Sequence, residues 1–273
     1  MGDEMAEEPR EVEVRRFFET VDLLVERIPT DDGRSPDFLV SGDGPGYLVE
    51  AKGRFDDESI EKELGSTGAA SRTRPVGYSE HIETIVRKAR RQMGAHDPKH
   101  QYQWLVWLSV ETSLVKPELT TEQFISTLYG VRTVVHAGEA GKAVSKRCYY
   151  ARSGPFERWP EIDAALISTL DGYVLCLNEF SPRAEDLRHQ EVPKRLAERG
   201  AVIVPHEREA RGECFVADLD IDRRDEAAVR DHLRGRYNHP ELQVVNFKEH
   251  SVIVDEEQIN LPDAKSRHGG DGG

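Results

Sequence analysis

The sequence predicts an α/β fold: a helix, three antiparallel strands, a second helix and a further strand around a mixed central sheet, followed by a C-terminal α/β extension. Three observations support this prediction. Residues 9–21 repeat apolar side chains at helical spacing, which is typical of an amphipathic helix. Residues 36–52 contain two short apolar runs on either side of a glycine-rich turn, which predicts a β-hairpin. Residues 101–110 are apolar on both faces, as expected of a strand in the centre of a sheet.

The first helix and one more strand precede this hairpin. Pro9 suits the first turn of the helix, and Val14 and Phe17 lie on its apolar face. Residues 23–30 are compatible with a longer helix or with a strand. We favour the strand, because the Asp-Gly pair at positions 32–33 is a strong signal for a type I′ turn and the following apolar run supplies a partner.

A second helix follows the hairpin after a long connection. Residues 53–77 are predicted to be a loop rich in Gly, Ser, Thr and Arg. Ser79 is expected to cap the helix and Gly94 to stop it. The apolar stripe of this helix consists of Ile82, Ile85, Val86, Ala89 and Met93.

Beyond residue 111 the pattern is weaker, although helix-like and strand-like segments continue to alternate. One helix is predicted over residues 184–198. A Gly/Ala/Lys stretch at residues 138–146 marks a candidate boundary. We therefore divide the chain into a core of residues 1–138, an α/β extension of residues 139–254 without an assigned role, and a tail of residues 255–273 that is predicted to be disordered.

Composition limits the classes of function. The 273-residue chain has a formal net charge of −14, and an acidic surface repels a polyanion, so nucleic-acid binding requires local basic patches.

No segment approaches the roughly 18 apolar residues that span a bilayer. Residues 1–10 are too acidic and polar for a secretory leader, so we expect a cytoplasmic protein without a membrane partner. Cys148, Cys176 and Cys214 are far apart and are expected to be reduced and buried.

The predicted hairpin brings charged side chains together. Strand side chains alternate between faces, so Glu50 and Lys52 project from one face of their strand. A six-residue loop pairs Val40 with Tyr47, and counting outward places Asp37 opposite Glu50. Two neighbouring carboxylates are unfavourable unless a cation or a proton relieves them, which predicts a divalent metal site. The alternative is a surface ion pair of Glu50 with Lys52, worth ~0–1 kcal/mol; it leaves the alignment of Asp37 unexplained.

Pro36-Asp37 followed by Glu50-Ala51-Lys52 resembles the signature of the PD-(D/E)XK nuclease superfamily, whose core has the α-β-β-β-α-β order. The layout is most similar to archaeal Holliday-junction resolvases and restriction-endonuclease-like proteins, over residues 9–110. The resemblance implies a Mg²⁺- or Mn²⁺-dependent endonuclease that hydrolyses DNA phosphodiester bonds. It also implies that Asp37, Glu50 and the carbonyl group of Ala51 are metal ligands.

Lys52 has two candidate roles in such a site. It could deprotonate the attacking water, or it could orient the water and stabilise developing negative charge. The unperturbed pKa of lysine is ~10.4, and two neighbouring carboxylates favour its charged form. We therefore assign Lys52 to charge stabilisation and water orientation.

Members of the superfamily usually add a glutamate from the first helix. Glu11 and Glu13 flank the apolar face at similar angles, whereas Glu19 points away from the sheet. We favour Glu11 as the fourth catalytic residue and keep Glu13 as the alternative; either position also suits a solvated surface acid. Gln92, late in the second helix, corresponds to a polar position that some branches of the superfamily use near the site.

Four arginines are the candidate nucleic-acid contacts: Arg72 and Arg74 in the predicted loop, and Arg87 and Arg91 on the second helix. Cations near the C-terminus of a helix are also favoured by the helix dipole alone, which is the alternative explanation for the helical pair. DNA is the expected substrate and partner, although the sequence does not separate DNA from RNA.

Two other functions remain open at this point. The chain could be a catalytically silent, nuclease-like subunit that binds or scaffolds a nucleic-acid-processing complex, or the extension could carry the activity. The acidic surface favours the scaffold, whereas retention of Asp37, Glu50 and Lys52 favours the enzyme. The resemblance further implies a homodimer, or partner proteins in a defence or repair complex.

Overall fold

A computed structural model describes residues 8–29, 35–42, 44–55, 58–75, 77–111, 117–138, 141–169, 172–245 and 248–254. The helices are α1 (Pro9–Glu19), α2 (Glu58–Thr67), α3 (Glu80–His96), α4 (Pro117–Tyr129), α5 (Pro155–Arg158), α6 (Ala184–Arg188), α7 (Glu191–Glu198), α8 (Pro205–Ala210) and α9 (Glu226–Tyr237). The strands are β1 (Leu24–Arg27), β2 (Phe38–Ser41), β3 (Tyr47–Phe55), β4 (Ala69–Pro75), β5 (Gln103–Glu111), β6 (Arg132–Ala137), β7 (Ala143–Tyr149), β8 (Ala164–Thr169), β9 (Gly172–Leu177), β10 (Val202–Ile203), β11 (Phe215–Val216), β12 (Gln243–Val245) and β13 (Lys248–Val254).

The largest sheet has seven strands in the order β1-β2-β3-β5-β8-β9-β10. β1, β2 and β3 are antiparallel neighbours, whereas β5 runs parallel to both β3 and β8. The predicted α/β class with a mixed central sheet is therefore confirmed. Two smaller sheets have the orders β11-β7-β6-β12 and β13-β4.

The predicted hairpin register is confirmed. Val40 pairs with Tyr47 and Phe38 with Val49, as the six-residue loop requires. One step further, the Asp37 N–H donates a hydrogen bond to the Val49 carbonyl at 3.1 Å. Asp37 therefore lies at the start of β2, beside the middle of β3.

Helices cover both faces of the seven-stranded sheet. α1 packs on one face, where the rings of Phe18 and Tyr47 have centroids 6.2 Å apart and those of Phe17 and Trp107 have centroids 5.4 Å apart. The buried stripe of α3 packs on the other face, in one cluster with Leu48. Because side chains alternate along β3, each face of this strand meets a different helix.

Two predictions about the connecting segments are wrong. Residues 53–77 were expected to form a loop, but they contain the end of β3, α2 and β4, and β4 pairs with β13 from the other end of the chain. The single helix predicted over residues 184–198 is two helices, α6 and α7. Pro193, in the first turn of α7, lacks the N–H that a continuous helix would bond to the carbonyl of residue 189. The predicted turn at residues 32–33 and the tail at residues 255–273 lie outside the described residues.

Segments on both sides of residue 138 share sheets and buried groups. β6 and β7 pair across the predicted boundary, and β8 lies beside β5 in the large sheet. The Tyr129 hydroxyl, on the N-terminal side, contacts the carbonyl oxygens of Leu177 and Ile203, each at 2.9 Å. The extension thus contributes β8, β9 and β10 to the same seven-stranded sheet as β1, β2, β3 and β5.

All three cysteines are buried and free, as predicted. Within the described ranges, no helix is both long and apolar enough to cross a lipid bilayer.

A glycine ends α4 in a conformation that other residues adopt only with strain. Gly130 has φ of +62°, and a Cβ there would lie 1.8 Å from the carbonyl oxygen of Arg152. Gly130→Ala should combine a left-handed backbone penalty with a clash and lower the free energy of unfolding by roughly 3 kcal/mol or more. Gly200→Ala is the matched control. Gly200 has φ of +67°, but a Cβ there would meet no atom outside its chain neighbours within 4 Å. The free energy of unfolding should therefore fall by only ~1 kcal/mol in this variant. Equal losses in denaturant titrations of the two variants would contradict this assignment.

Candidate active site

Asp37, Glu50 and Lys52 converge on the face of the sheet that α3 covers. Leu48, two residues before Glu50, belongs to the cluster that α3 buries, whereas Val49 and Ala51 belong to the cluster on the α1 side. The alternation along β3 therefore places Glu50 and Lys52 on the α3 side. Asp37 extends β2 in register opposite Glu50, and paired residues of neighbouring strands share a face.

Asp37 is fixed by a backbone donor. Its Oδ2 accepts a hydrogen bond from the Ala51 N–H at 2.7 Å, so the carboxylate spans the gap between β2 and β3. Burial raises the pKa of Asp37, and the Ala51 N–H and the Lys52 charge oppose that shift. The side chain is thus held in one orientation beside the strand that carries Glu50.

Glu50 is a buried carboxyl group that lies beside a second acid. Its side chain is fully buried, and Lys52 Nζ contacts its Oε1 in an ion pair. Neither Oε atom accepts a hydrogen bond of regular geometry from the described residues. Burial first, and the negative charge of Asp37 second, raise the pKa of Glu50 to about 8, although the Lys52 ammonium opposes the rise. A buried carboxyl group of this kind is relieved by a proton or by a cation.

Oxygen ligands from two strands are available to a cation here. Asp37 and Glu50 supply carboxylates, and Ala51 supplies a carbonyl group. The N–H and C=O of one strand residue point to the same neighbouring strand, so the Ala51 carbonyl points toward Asp37, which accepts its N–H. In the part of the chain that the structure describes, no group of three or more His, Cys, Asp or Glu side chains is arranged to hold a metal ion. Mg²⁺ commonly binds one or two carboxylates and completes its shell with waters and substrate oxygens, so the donor set suits it.

Glu11 lies at the start of α1, near this site but engaged elsewhere. It is buried, and its carboxylate accepts hydrogen bonds from the Glu8 N–H at 3.1 Å and from Arg27 Nη2 at 3.1 Å. Its negative charge contributes to the raised pKa of Asp37. Glu11 is therefore close enough to influence Asp37 electrostatically, while its own oxygens are held by Glu8 and Arg27.

Glu13, the alternative, faces a different part of the sheet. The Ser168 hydroxyl on β8 donates a hydrogen bond to Glu13 Oε1, and the same carboxylate raises the pKa of Tyr173 on β9, an effect second to burial. β8 and β9 are separated from β2 by β3 and β5. Of the two first-helix glutamates, the structure brings Glu11 toward Asp37.

Arg10 is a residue of this neighbourhood that sequence reasoning does not single out. Its positive charge lowers the pKa of both Asp37 and Glu50, against the larger effect of burial. The only sequence signal is its position beside Glu11, and charged residues are common in the first turn of a helix.

Gln92 approaches the same site from α3. Its Nε2 donates a hydrogen bond to the Ser35 carbonyl at 3.3 Å, two residues before Asp37. α3 therefore contacts the segment that leads into β2 and carries Asp37.

The four candidate nucleic-acid contacts lie on two elements, β4 and α3. Arg72 and Arg74 lie on β4, in the pair with β13, and their side chains fall outside the described part of the structure. Arg87 and Arg91 are exposed on α3. Arg87 donates a hydrogen bond to Thr84 Oγ1 at 3.3 Å and lines a cavity with several other arginines.

Comparisons of the chain with models of known protein families, with curated proteins and with solved structures find no match.

Proposed function

We propose that this chain is a metal-dependent nuclease of the PD-(D/E)XK type that hydrolyses DNA phosphodiester bonds. The observation that carries the proposal is Glu50: fully buried, without a regular hydrogen bond from the described residues, and beside both Asp37 and Lys52. A surface ion pair does not account for a buried acid with a second acid as its neighbour. A divalent cation relieves both carboxylates at once.

The arrangement of elements also supports a restriction-endonuclease-like core. α1, β1, β2, β3, α3 and β5 follow the α-β-β-β-α-β order of the resemblance, with α2 and β4 inserted before α3. β1, β2 and β3 are antiparallel neighbours, and β5 is parallel to β3, which makes the sheet mixed. The signature residues lie where β2 begins and in the middle of β3.

The residues have distinct roles in the proposed hydrolysis. Asp37, Glu50 and the Ala51 carbonyl would hold Mg²⁺ or Mn²⁺, which lowers the pKa of water and neutralises charge on phosphate oxygens. The oxygen of water would form a bond to phosphorus while the bond from phosphorus to the leaving oxygen breaks; the water gives up a proton to solvent, and the leaving oxygen takes one up from solvent to become a hydroxyl group. The Lys52 ammonium orients the water and stabilises the negative charge that develops on the phosphate. The Ala51 N–H keeps Asp37 in place.

Purified full-length protein tests the proposal directly. Single-stranded, duplex and branched DNA, and RNA of the same sequence, are incubated with Mg²⁺, with Mn²⁺ or with a chelator. We expect DNA cleavage in the presence of metal and none with the chelator. Intact DNA in every form, with protein that is folded by circular dichroism, would contradict the proposal.

A silent, nuclease-like subunit of a nucleic-acid-processing complex is the second candidate. The net charge of −14 favours it, because an acidic protein binds DNA poorly on its own. Such a subunit, within a defence or repair complex, has no need of a metal site that depends on Asp37 and Glu50. A homodimer is the simpler assembly, and its mass in light scattering would distinguish it from a monomer that awaits a partner.

The two first-helix glutamates give a graded prediction. Glu11→Gln should lower the rate of cleavage roughly 10- to 100-fold, the scale of residues that support metal ligands. Glu13→Gln should leave the rate within about twofold, because Glu13 bonds to Ser168 on the far side of β5. Single-turnover rates with saturating metal provide the comparison. A larger loss in Glu13→Gln than in Glu11→Gln would reverse the assignment.

A further inference from the structure

A cavity of about 710 Å³ lies at the N-terminal end of α3, lined by residues of several distant segments. Six arginines line it: Arg87, Arg132, Arg152, Arg158, Arg223 and Arg224. The whole chain has a net charge of −14, so this concentration of guanidinium groups is a local exception. The cavity contains no residue of the Asp37, Glu50 and Lys52 group.

Three of these arginines are held by carboxylates. Arg132 pairs with Glu226, Arg158 with Glu83 at 2.7 Å, and Arg223 with Glu157 at 3.2 Å. Arg223 is buried and also donates to backbone carbonyls, including that of Tyr150 at 2.8 Å. These pairs fix the walls of the cavity and leave little of their charge uncompensated.

The other three arginines have no such partner. No described residue forms an ion pair with Arg87, Arg152 or Arg224, and all three are exposed. The Arg152 guanidinium stacks over the Tyr78 ring, 3.9 Å from its centroid. The Tyr78 hydroxyl accepts a hydrogen bond from Arg158 at 2.6 Å, so the surface on which Arg152 rests is itself held. Arg152 is thereby held in place without a direct ion pair, although its charge helps Arg132 to lower the pKa of Glu226.

Neighbouring guanidinium groups repel one another unless an anion lies between them. Each planar guanidinium presents paired N–H donors that match two oxygens of a phosphate group. Three glutamates, Glu80, Glu83 and Glu226, also line the cavity, so its six guanidinium groups outnumber its carboxylates by three. The N-terminal turns of α3 and α9 add positive potential through their dipoles. An anion with several oxygens spread over more than one phosphate group matches this arrangement.

We propose that this cavity binds a small ligand that carries two or more phosphate groups, of the size of a nucleoside di- or triphosphate. The volume lies within the ~300–1,000 Å³ typical of small-molecule sites. The acidic character of the chain as a whole disfavours a long polyanion that would extend beyond the cavity. The binding is independent of the proposed hydrolysis, because it uses neither carboxylate of the candidate active site.

Calorimetric titration of the full-length protein tests this proposal. The probes are inorganic triphosphate, adenosine triphosphate and a short DNA duplex, each in the presence of a chelator so that the candidate metal site does not contribute. We expect both triphosphates to bind with a Kd on the order of 10 µM and to bind more weakly as salt increases. The duplex should show no binding that competes with inorganic triphosphate.

Single substitutions locate the site. Arg152→Gln and Arg224→Gln should each weaken triphosphate binding about tenfold or more, since each removes a charge-assisted donor. Arg199→Gln is the matched control: Arg199 is also exposed and forms no ion pair with the described residues, but it lies outside the cavity. The affinity of this control variant should equal that of the wild type. Thermal melts check that all three variants fold.

Three results would overturn the proposal. The first is the absence of triphosphate binding by the wild type. The second is equal weakening by Arg199→Gln and Arg152→Gln, which would indicate general electrostatic attraction. The third is competition by the duplex that Arg152→Gln and Arg224→Gln abolish, which would assign the cavity to nucleic-acid phosphates. Whether the wild type cleaves DNA has no influence on these outcomes. The proposed nuclease activity and the proposed phosphate-binding cavity can therefore be refuted independently.

Discussion

Lys52→Met is expected to lower metal-dependent DNA cleavage by about 10²–10³-fold, because it removes the cation that we propose stabilises charge on the phosphate. Asp37→Asn should have an effect at least as large, since it removes a proposed metal ligand. The fold should survive both changes. Lys52 is partly exposed, and the amide oxygen that replaces the Asp37 carboxylate can still accept the hydrogen bond from the Ala51 N–H. Cleavage of plasmid DNA at saturating Mn²⁺ provides the measurement.

Matched controls separate loss of function from loss of structure. Lys62→Met removes an exposed lysine from α2, and Asp231→Asn removes an exposed aspartate from α9; both variants should cleave DNA at the wild-type rate. Activity in Lys52→Met equal to that in Lys62→Met would remove Lys52 from the mechanism.

The stability of the metal-free protein should depend on pH through Glu50. Burial raises the pKa of Glu50 from 4.5 to about 8, so between these values the native state holds a proton that the unfolded state releases. The free energy of unfolding should therefore fall as pH rises from about 5 to about 8, with a slope of up to ~1.4 kcal/mol per pH unit. Glu50→Gln should remove this contribution and flatten the profile. Denaturant unfolding at a series of pH values, with a chelator present, measures both curves.

The difference between the two curves isolates Glu50 from another group that acts in the same direction. Hydrogen bonding to Glu179 raises the pKa of His206, so the native state also holds this proton more tightly than the unfolded state. The protonated His206 therefore stabilises the native state fully below the ordinary histidine pKa, and this stabilisation is lost as pH rises through the higher pKa of His206 in the native state. It is common to wild type and Glu50→Gln. Parallel pH profiles for the two proteins would show that Glu50 titrates normally.

Local signals predicted the elements that position the candidate site. The apolar stripes of α1 and α3, the Ser79 cap and the hairpin register all depend on residues close together in sequence. The pairing of β4 with β13 is not predicted from the sequence, because the two strands come from distant parts of the chain. A strand that finds its partner so far away leaves no pattern in either segment beyond a short apolar or β-branched run.

The proximity of Asp37 and Glu50 was likewise predictable from alternation and register, whereas their environment was not. Whether Glu50 is buried depends on how α3 packs over β3, and the involvement of Arg10 and Glu11 depends on how α1 docks on the sheet. The arginine cavity has the same origin, since its walls come from α3, β6, the segment around α5 and the start of α9. Such sites exist only after tertiary packing.

Binding of Mn²⁺ to the pure protein, measured by calorimetry, tests most directly whether Asp37 and Glu50 form a cation site. We predict that the wild type and the surface variant Glu19→Gln bind Mn²⁺ with equal affinity, and that Asp37→Asn and Glu50→Gln each weaken binding at least tenfold, which corresponds to about 1.4 kcal/mol. Affinity that is unchanged in Asp37→Asn and Glu50→Gln, or a wild type that binds no Mn²⁺, would contradict the existence of this site.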